Sequence, residues 1–580
     1  MTSFAAVFAG LGVPQVWVGR SDYTIIDTAF GEGHLFLHLW HAWRLEPQRS
    51  RRLHVVGLLP ELCPAQELQA RLLQTCPADI QPFVQELVEA WPLNLLGVHR
   101  LEFERLRVTL TLAVGDASIM LGRVSARADA VVFPPEARDY PDVKLEPLLA
   151  AATRLLAPGG KLVRLLMSAT KLRENFSEQA SALWGQGTAR GGVWSRGEGA
   201  QSAVSSGLHE GHQHVVVVGG GFAGASVAHA LSLRGWAVTV YEASGAEQAP
   251  HRGHLAAALT PMLTREDDIR ARLSRAGTLL GHRRWGHLTG EAFDCCGALQ
   301  LSRRSGRIVD LESVVAGLNL PEAWAKFVDA SQASAIAGIH LQRGGIYFPM
   351  AVRVQPELFL DQLLNGPNIL RRKRRVQRIV RRGEVWQVLD AAGEVFDESR
   401  VVVVAAAHAT QDILSASGLL SEHARLRMMH RLGGEVTYVP EGLLAGGPRC
   451  IVSGDGYVLP AVDGYCVTGS SYLHGAEVVS VTDAGARENL KRTEGLVGTP
   501  LLQEQAGHGA ILGWAGWRAV LPGRLPAVGA IGQHTGLWAI TGLASRGLTW
   551  SSLAGDLVAA TLNAEPLPLE TDIIDKISQI

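Results

Sequence analysis

The chain has 580 residues, 47% of them hydrophobic, with 6 Cys and a formal net charge of -1. Such a length implies more than one domain, because single cores stop growing at a few hundred residues. The near-zero charge excludes a globally basic nucleic-acid coat and leaves any RNA binding to local patches.

Cys63, Cys76, Cys295, Cys296, Cys450 and Cys466 form no CxxC pair and no metal-ligand spacing, so reduced thiols and no metal site are expected. The adjacent Cys295 and Cys296 read as small buried hydrophobes rather than a redox couple. No apolar run approaches the ~18 residues of a membrane span, and no positive segment precedes the apolar start of the chain. A cytoplasmic protein without membrane contact is expected, with a monomer as its assembly.

In chain order, residues 23–35 read as a strand, a glycine turn and a helix start. That layout turns an acid and glycines, here Asp27, Gly31 and Gly33, toward S-adenosylmethionine, with Ala29 at the first glycine position. Residues 53–59 form a second strand that ends in Leu59 and Pro60, where an acid normally grips the ribose; Glu61 lies just beyond. A later strand runs into Gly115-Asp116, from which an Asp commonly meets the adenine amino group. With the strand at 128–133 and the Pro158-Gly159-Gly160 turn into another strand, residues 1–167 predict an α/β, doubly wound, methyltransferase-like sheet. Residues 168–212 are rich in Ser, Gly, Arg, Glu and Gln and predict a flexible linker.

Residues 213–580 open on His214-Val215-Val216-Val217-Val218-Gly219-Gly220-Gly221-Phe222-Ala223-Gly224. Four Val predict a strand buried on both faces, and Gly219, Gly221 and Gly224 let the backbone approach a pyrophosphate at the next helix N-terminus. Glu242 ends a second strand, close to where an acid accepts hydrogen bonds from a ribose. The small-residue segment with Gly253 and His254 can bring backbone close to a flavin ring, and the alternating strands beyond residue 358 suit an antiparallel substrate domain inserted in the Rossmann-type one.

The run Arg371-Arg372-Lys373-Arg374-Arg375, with Arg378, Arg381 and Arg382, has two open readings. It holds nucleic-acid phosphates, or it is a solvated strand edge whose charge blocks pairing. Val401–Val404 is a further buried strand, and Ser545, Arg546 and Gly547 precede a helix whose dipole could face the pyrimidine edge of a flavin. That segment and Glu242 together fit FAD better than a nicotinamide cofactor.

These features resemble a family of bifunctional tRNA-modifying proteins that joins an N-terminal methyltransferase to a C-terminal flavin oxidoreductase of the D-amino acid oxidase family. The resemblance rests on residues 7–14, 27–40, Trp91-Pro92-Leu93 with His99-Arg100, Gly115-Asp116, the glycine turn, residues 459–464 and Ser545-Arg546-Gly547-Leu548. It implies two reactions on a tRNA wobble uridine. FAD-dependent oxidation of 5-carboxymethylaminomethyl-2-thiouridine gives an imine that water cleaves to the aminomethyl base and glyoxylate. S-adenosylmethionine then methylates the amine. An Arg fork suits the carboxylate, and Arg546, Arg518 and Arg353 are the candidates.

Departures from the family lie mainly in the first half: Ala29, Leu59, Pro134 in the place of an Asp within residues 133–142, and strands after Val163 that dissolve into the linker. A truncated sheet with weak or absent S-adenosylmethionine binding is therefore expected. In the flavin half, Ala406-Ala407 replaces a glycine and Gly523-Arg524-Leu525-Pro526 lacks an acid. The competing readings are an oxidase of free amino acids or glycine with an inert N-terminal domain, and a non-catalytic RNA-binding protein.

Overall fold

Neighbouring residues of the first strands, Ile25 and Ile26, Val55 and Val56, point to opposite faces of one sheet, and each is at most 1% exposed. Strands buried on both faces belong to a parallel sheet with helices on each side. The computed structural model, which describes residues 4–133, 145–164, 193–195, 213–243, 251–288, 290–303, 309–501 and 512–580, divides into two units.

The first unit, Met1–His209 with Ala560–Ile574, contains that sheet. Its strands are β1 (Asp22–Asp27), β2 (Arg52–Leu59), β3 (Gly97–Phe103), β4 (Val108–Val114), β5 (Ala128–Phe133), β6 (Leu156–Arg164) and β7 (Val193–Ser195). They are ordered β3-β4-β2-β1-β5-β6-β7, with β3 and β7 as antiparallel edges on a parallel centre. The chain leaves β1 for β2 and β4, then crosses back to β5, so the switch point lies at the carboxyl ends of β1 and β5.

Two features differ from the sequence reading. Val193–Ser195, inside the stretch read as linker, pairs with β6 and adds a strand to the sheet expected to be truncated. Three residues are too short to show periodicity. The rest of 168–212, and residues 134–142 of the acidic motif, lie outside the described residues. Ala560–Ile574 also falls in the first unit rather than the second. There the buried Arg100 pairs with Glu565 and donates to the Pro566 carbonyl, while Arg52 Nη1 reaches Asn563 Oδ1 at 3.1 Å.

The second unit comprises Glu210–Ala559 with Asp575–Ile580. Its six-stranded sheet is ordered Ile369–Lys373, β9 (Ala237–Glu242), β8 (His214–Val218), Val401–Val404, Leu537–Thr541 and Ala527–Ala530. All of these pairings are parallel except the last. A second sheet has eight strands; it is antiparallel as expected, apart from Ala298–Leu301 beside Ile451–Ser453.

Three helices, Phe222–Ser232, Ile269–Trp285 and Gly547–Leu562, cross at glycines. A Cβ on Gly277 would stand 1.9 Å from Thr549 O, and one on Gly555 would stand 2.7 Å from Ser226 backbone atoms. Cys295 is exposed and Cys296 half-buried, contrary to the expected burial of the pair, and both are free thiols. Among the described residues no helix is long and apolar enough to cross a membrane, and no group of three His, Cys, Asp or Glu could hold a metal ion.

Candidate active site

β8 ends at Val218, and Gly219 takes φ +105°, with a Cβ there lying 2.5 Å from Ala405 O, so both the backbone angle and the close approach require glycine. At Gly224 a Cβ would meet Gly219 O at 1.8 Å, so glycine lets the helix press onto the strand. Gly221 is different: a Cβ there would meet nothing within 4 Å. The helix it precedes has no side-chain cap, so its first backbone N–H groups and the positive dipole end are left to a ligand such as a pyrophosphate. Glu242, the last residue of β9, accepts from Gly220 N–H at 2.7 Å, which fixes its carboxylate at the mouth of this cradle. The turn and the acid fit a dinucleotide such as FAD. A Cβ on Gly547 would come within 3.4 Å of Phe222, so the helix that begins after Ser545 and Arg546 starts beside the same cradle.

From Phe222 a row of rings leads away from the turn. Phe222 packs on His251 at 4.3 Å, His251 stacks with His254 at 5.5 Å, and His254 lies parallel to Trp514 at 4.2 Å and 4°. Burial holds His251 down to about 4, and burial, reinforced by His251 and Arg518, holds His254 well below the ordinary imidazole value; both rings are neutral near pH 7. Tyr438 donates its hydroxyl to the Gly253 carbonyl and accepts from Leu255 N–H at 3.3 Å, which ties this loop to strand His430–Pro440.

The strand Leu512–Val520 pairs with that one, placing Trp514 opposite Val436 and Arg518 opposite Leu432. Arg518 Nη2 donates to Ser470 Oγ at 3.0 Å and the guanidinium lies 5.0 Å over Tyr472. Gly434 makes room for it, since a Cβ there would stand 2.0 Å from Arg518 Nη1. Arg546 donates to Thr260 O at 3.0 Å, and burial lowers its pKa while the Tyr472 phenol opposes that shift. One guanidinium thus lies over the phenol and a second is held at Thr260, and neither has an acid partner among the described residues.

Arg353, the third candidate, is spent elsewhere. It is 4% exposed, pairs with Glu291 and with Asp294 at 3.2 Å, and donates to Ala461 O at 2.8 Å. Two acids already neutralise it, so it is corrected here from a substrate anchor to a structural ion pair. Tyr472, His251 and Trp514 escaped the sequence reading, although the alternation Gly513-Trp514-Ala515-Gly516-Trp517-Arg518 marks a strand that presents aromatic residues past small ones.

In the first unit, Asp27 sits at the carboxyl end of β1 and accepts from Ala29 N–H at 3.1 Å. Gly31 (φ +55°) and Gly33 (φ +85°) take left-handed backbone next to it. Phe30 folds over Gly57, where a Cβ would clash at 2.3 Å. Asp116 caps the following helix, accepting from Ile119 N–H at 3.0 Å and from Ser118, whose hydroxyl is the main cause that pulls its carboxyl down. Leu59 is buried and Glu61 exposed, so the ribose acid has no replacement on β2. Asp27, at the switch point and without a cation partner among the described residues, fits the ammonium of S-adenosylmethionine.

Burial pushes the Asp27 carboxyl from 3.8 up to about 6. Ionised Asp27 therefore opposes folding: the cost is absent below the unfolded value, grows as pH rises from about 4 to 6, and reaches on the order of 3 kcal/mol above that. Asp27→Asn is expected to raise the unfolding temperature of the first unit at pH 7.5, with a much smaller gain at pH 4.5, while weakening S-adenosylmethionine binding. Thermal melts at the two pH values with calorimetric titration check this; equal gains at both would remove the electrostatic cause.

A glycine cradle with its acid on one unit and a switch-point acid on a doubly wound sheet in the other define a flavin oxidoreductase joined to a methyltransferase. Residues 214–561 match the FAD dependent oxidoreductase family, and residues 78–180 match the S-adenosyl-L-methionine-dependent methyltransferase family. The chain belongs to the MnmC family. It is 33% identical to the tRNA 5-methylaminomethyl-2-thiouridine biosynthesis bifunctional protein MnmC of Azoarcus sp. (strain BH72), over 98% of this chain and 91% of that one. The protein of the same name from Aromatoleum aromaticum is also 33% identical, with the same coverage. The glycine oxidase of Geobacillus kaustophilus shares the fold of the second unit, with a TM-score of 0.50 and 17% identity over 63% of this chain and 99% of that one.

Proposed function

We propose that this chain acts in the cytoplasm on the wobble uridine of tRNA, removing the carboxymethyl group of 5-carboxymethylaminomethyl-2-thiouridine and then methylating the aminomethyl product. The observation that carries the first step is the presence of two guanidinium groups without an acid partner among the described residues, Arg518 over Tyr472 and Arg546 at Thr260. A secondary amine bearing a carboxylate fits there: Arg518 takes the carboxylate with its fork, Arg546 adds a second positive charge, and the neutral His254 does not compete for the anion. FAD, held by Gly219, Gly221, Gly224 and Glu242, with Gly253, His254, Ser545 and Gly547 toward its ring, supplies the two-electron acceptor when bound. Trp514 and the two His rings exclude water on that side.

For the second step, Asp27, Gly31 and Gly33 hold the methionine end of S-adenosylmethionine and Asp116 lies toward the adenine. Methyl transfer asks little beyond placement and a neutral amine, so the missing ribose acid at Leu59 lowers affinity without removing the reaction. A free amino-acid oxidase would use the same cationic pocket but would leave the first unit without a role.

The test is to incubate purified protein with tRNA carrying the carboxymethylaminomethyl base and analyse the nucleosides. Aminomethyl product without S-adenosylmethionine, and methylaminomethyl product with it, are expected. Turnover of free glycine with no loss of the tRNA modification would overturn the reading.

A further inference from the structure

Residues 371–382 hold eight Arg or Lys and no acid, in a chain of net charge -1. All but Arg374 among these cations are exposed. Ile369–Lys373 is the edge strand beside β9, in a register that sets Lys373 opposite Glu242. Arg378–Arg382 is in turn the edge of a three-stranded sheet. Two consecutive edges thus carry one basic strip that starts at the acid of the dinucleotide cradle.

Ion pairing accounts for a minority of it. Arg371 pairs with Asp361 at 2.7 Å, and Arg374 with Asp390 and Glu394 at 2.8 Å each. Arg381 lies over Trp386 and donates to Thr535 Oγ1 at 2.9 Å. Arg372, Lys373, Arg375, Arg378 and Arg382 have no acid partner among the described residues. On the second edge, Arg378 and Arg382 share the face opposite the buried Ile379. Guarding an edge against pairing needs only a charge or two. Five like charges without acids repel one another, and a polyanion laid along them removes that cost.

We propose that this strip is where the second unit holds the phosphate backbone of its RNA substrate, an inference that rests on tRNA being the substrate. Residues 372–382 span at most about 35 Å when extended, enough for several successive phosphates. Contacts of this kind are independent of base identity and position the RNA while the pocket selects the base.

The experiment is binding of an unmodified tRNA transcript to the full-length, FAD-loaded protein as salt is varied. Replacing Arg372, Lys373, Arg375, Arg378 and Arg382 together by Gln is expected to raise Kd at least thirtyfold near physiological salt, and to flatten the log Kd against log salt slope by roughly 3. The double variant Arg378→Gln/Arg382→Gln, remote from the cradle, should flatten it by between about 1 and 2, with the flavin spectrum intact and kcat at saturating tRNA unchanged. The control Arg487→Gln/Lys491→Gln, which removes two exposed charges from helix Asp483–Val497, should leave the slope as in the wild type. A double variant that binds like the wild type, or a control that loses as much, overturns the proposal. Wild-type protein that fails to modify tRNA at all would instead overturn the function on which it rests.

Discussion

Arg518→Ala is expected to lower kcat/KM of the flavin half on carboxymethylaminomethyl-bearing tRNA by roughly a hundredfold or more, the scale of about 2–5 kcal/mol that follows when one partner of a desolvated charge pair is truncated. The loss should appear in kcat as well as KM, because a carboxylate that is no longer gripped leaves the C–H bond free to turn from the flavin. Arg518→Lys should recover part of it: the charge returns but the fork that takes two oxygens does not. The protein should stay yellow and nearly keep its unfolding temperature, since Arg518 makes one hydrogen bond of ordinary length, to Ser470 Oγ at 3.0 Å, two long ones at 3.5 Å to Gly433 O and Ser471 O, and no ion pair among the described residues. Arg353→Ala should do the reverse, destabilising the fold by removing a buried guanidinium that bridges Glu291 and Asp294 and donates to Ala461 O, with little change in KM. Unchanged kinetics for Arg518→Ala in a flavin-replete protein would place the carboxylate elsewhere.

The difference between those two arginines shows where sequence reading reaches its limit. The cradle is legible because its pattern is local: Gly219, Gly221, Gly224 and Glu242 lie within two strands and a helix, and Gly224 has its steric reason inside that segment, against Gly219 O. Whether an arginine is free depends on acids that the fold brings to it. Glu291 reaches Arg353 across 62 residues of sequence, and no periodicity records that meeting. The same reasoning covers Ala560–Ile574, whose membership in the first unit hangs on Arg100 and Glu565, 465 residues apart. Ala407 is a middle case. The sequence shows an alanine where a glycine is usual, and the structure gives it φ +50°, the left-handed backbone that a glycine adopts without strain.

Asp556→Ala is expected to destabilise the second unit by about 3–5 kcal/mol, lowering its unfolding temperature by on the order of 10 °C. In helix Gly547–Leu562, otherwise uncharged, Asp556 Oδ1 accepts from both Arg234 Nη2 and Arg284 Nη2 at 2.7 Å, and all three side chains are at most 3% exposed. Removing the carboxylate leaves two guanidinium groups facing each other in a dry interior, so the loss is the cost of stranded charge rather than of the pair itself. Asp556→Asn, which keeps the volume and one acceptor, should fall between. The decisive comparison replaces all three, Arg234→Met, Arg284→Met and Asp556→Leu: it should recover most of the stability, as buried ion clusters exchanged for apolar side chains commonly do. If the triple variant is as unstable as Asp556→Ala, volume and packing govern instead. The cluster also ties the helix that follows the glycine turn to the one that begins after Arg546, so Asp556→Ala should release FAD at temperatures where the triple variant, with the three helices still packed through Gly277 and Gly555, retains it.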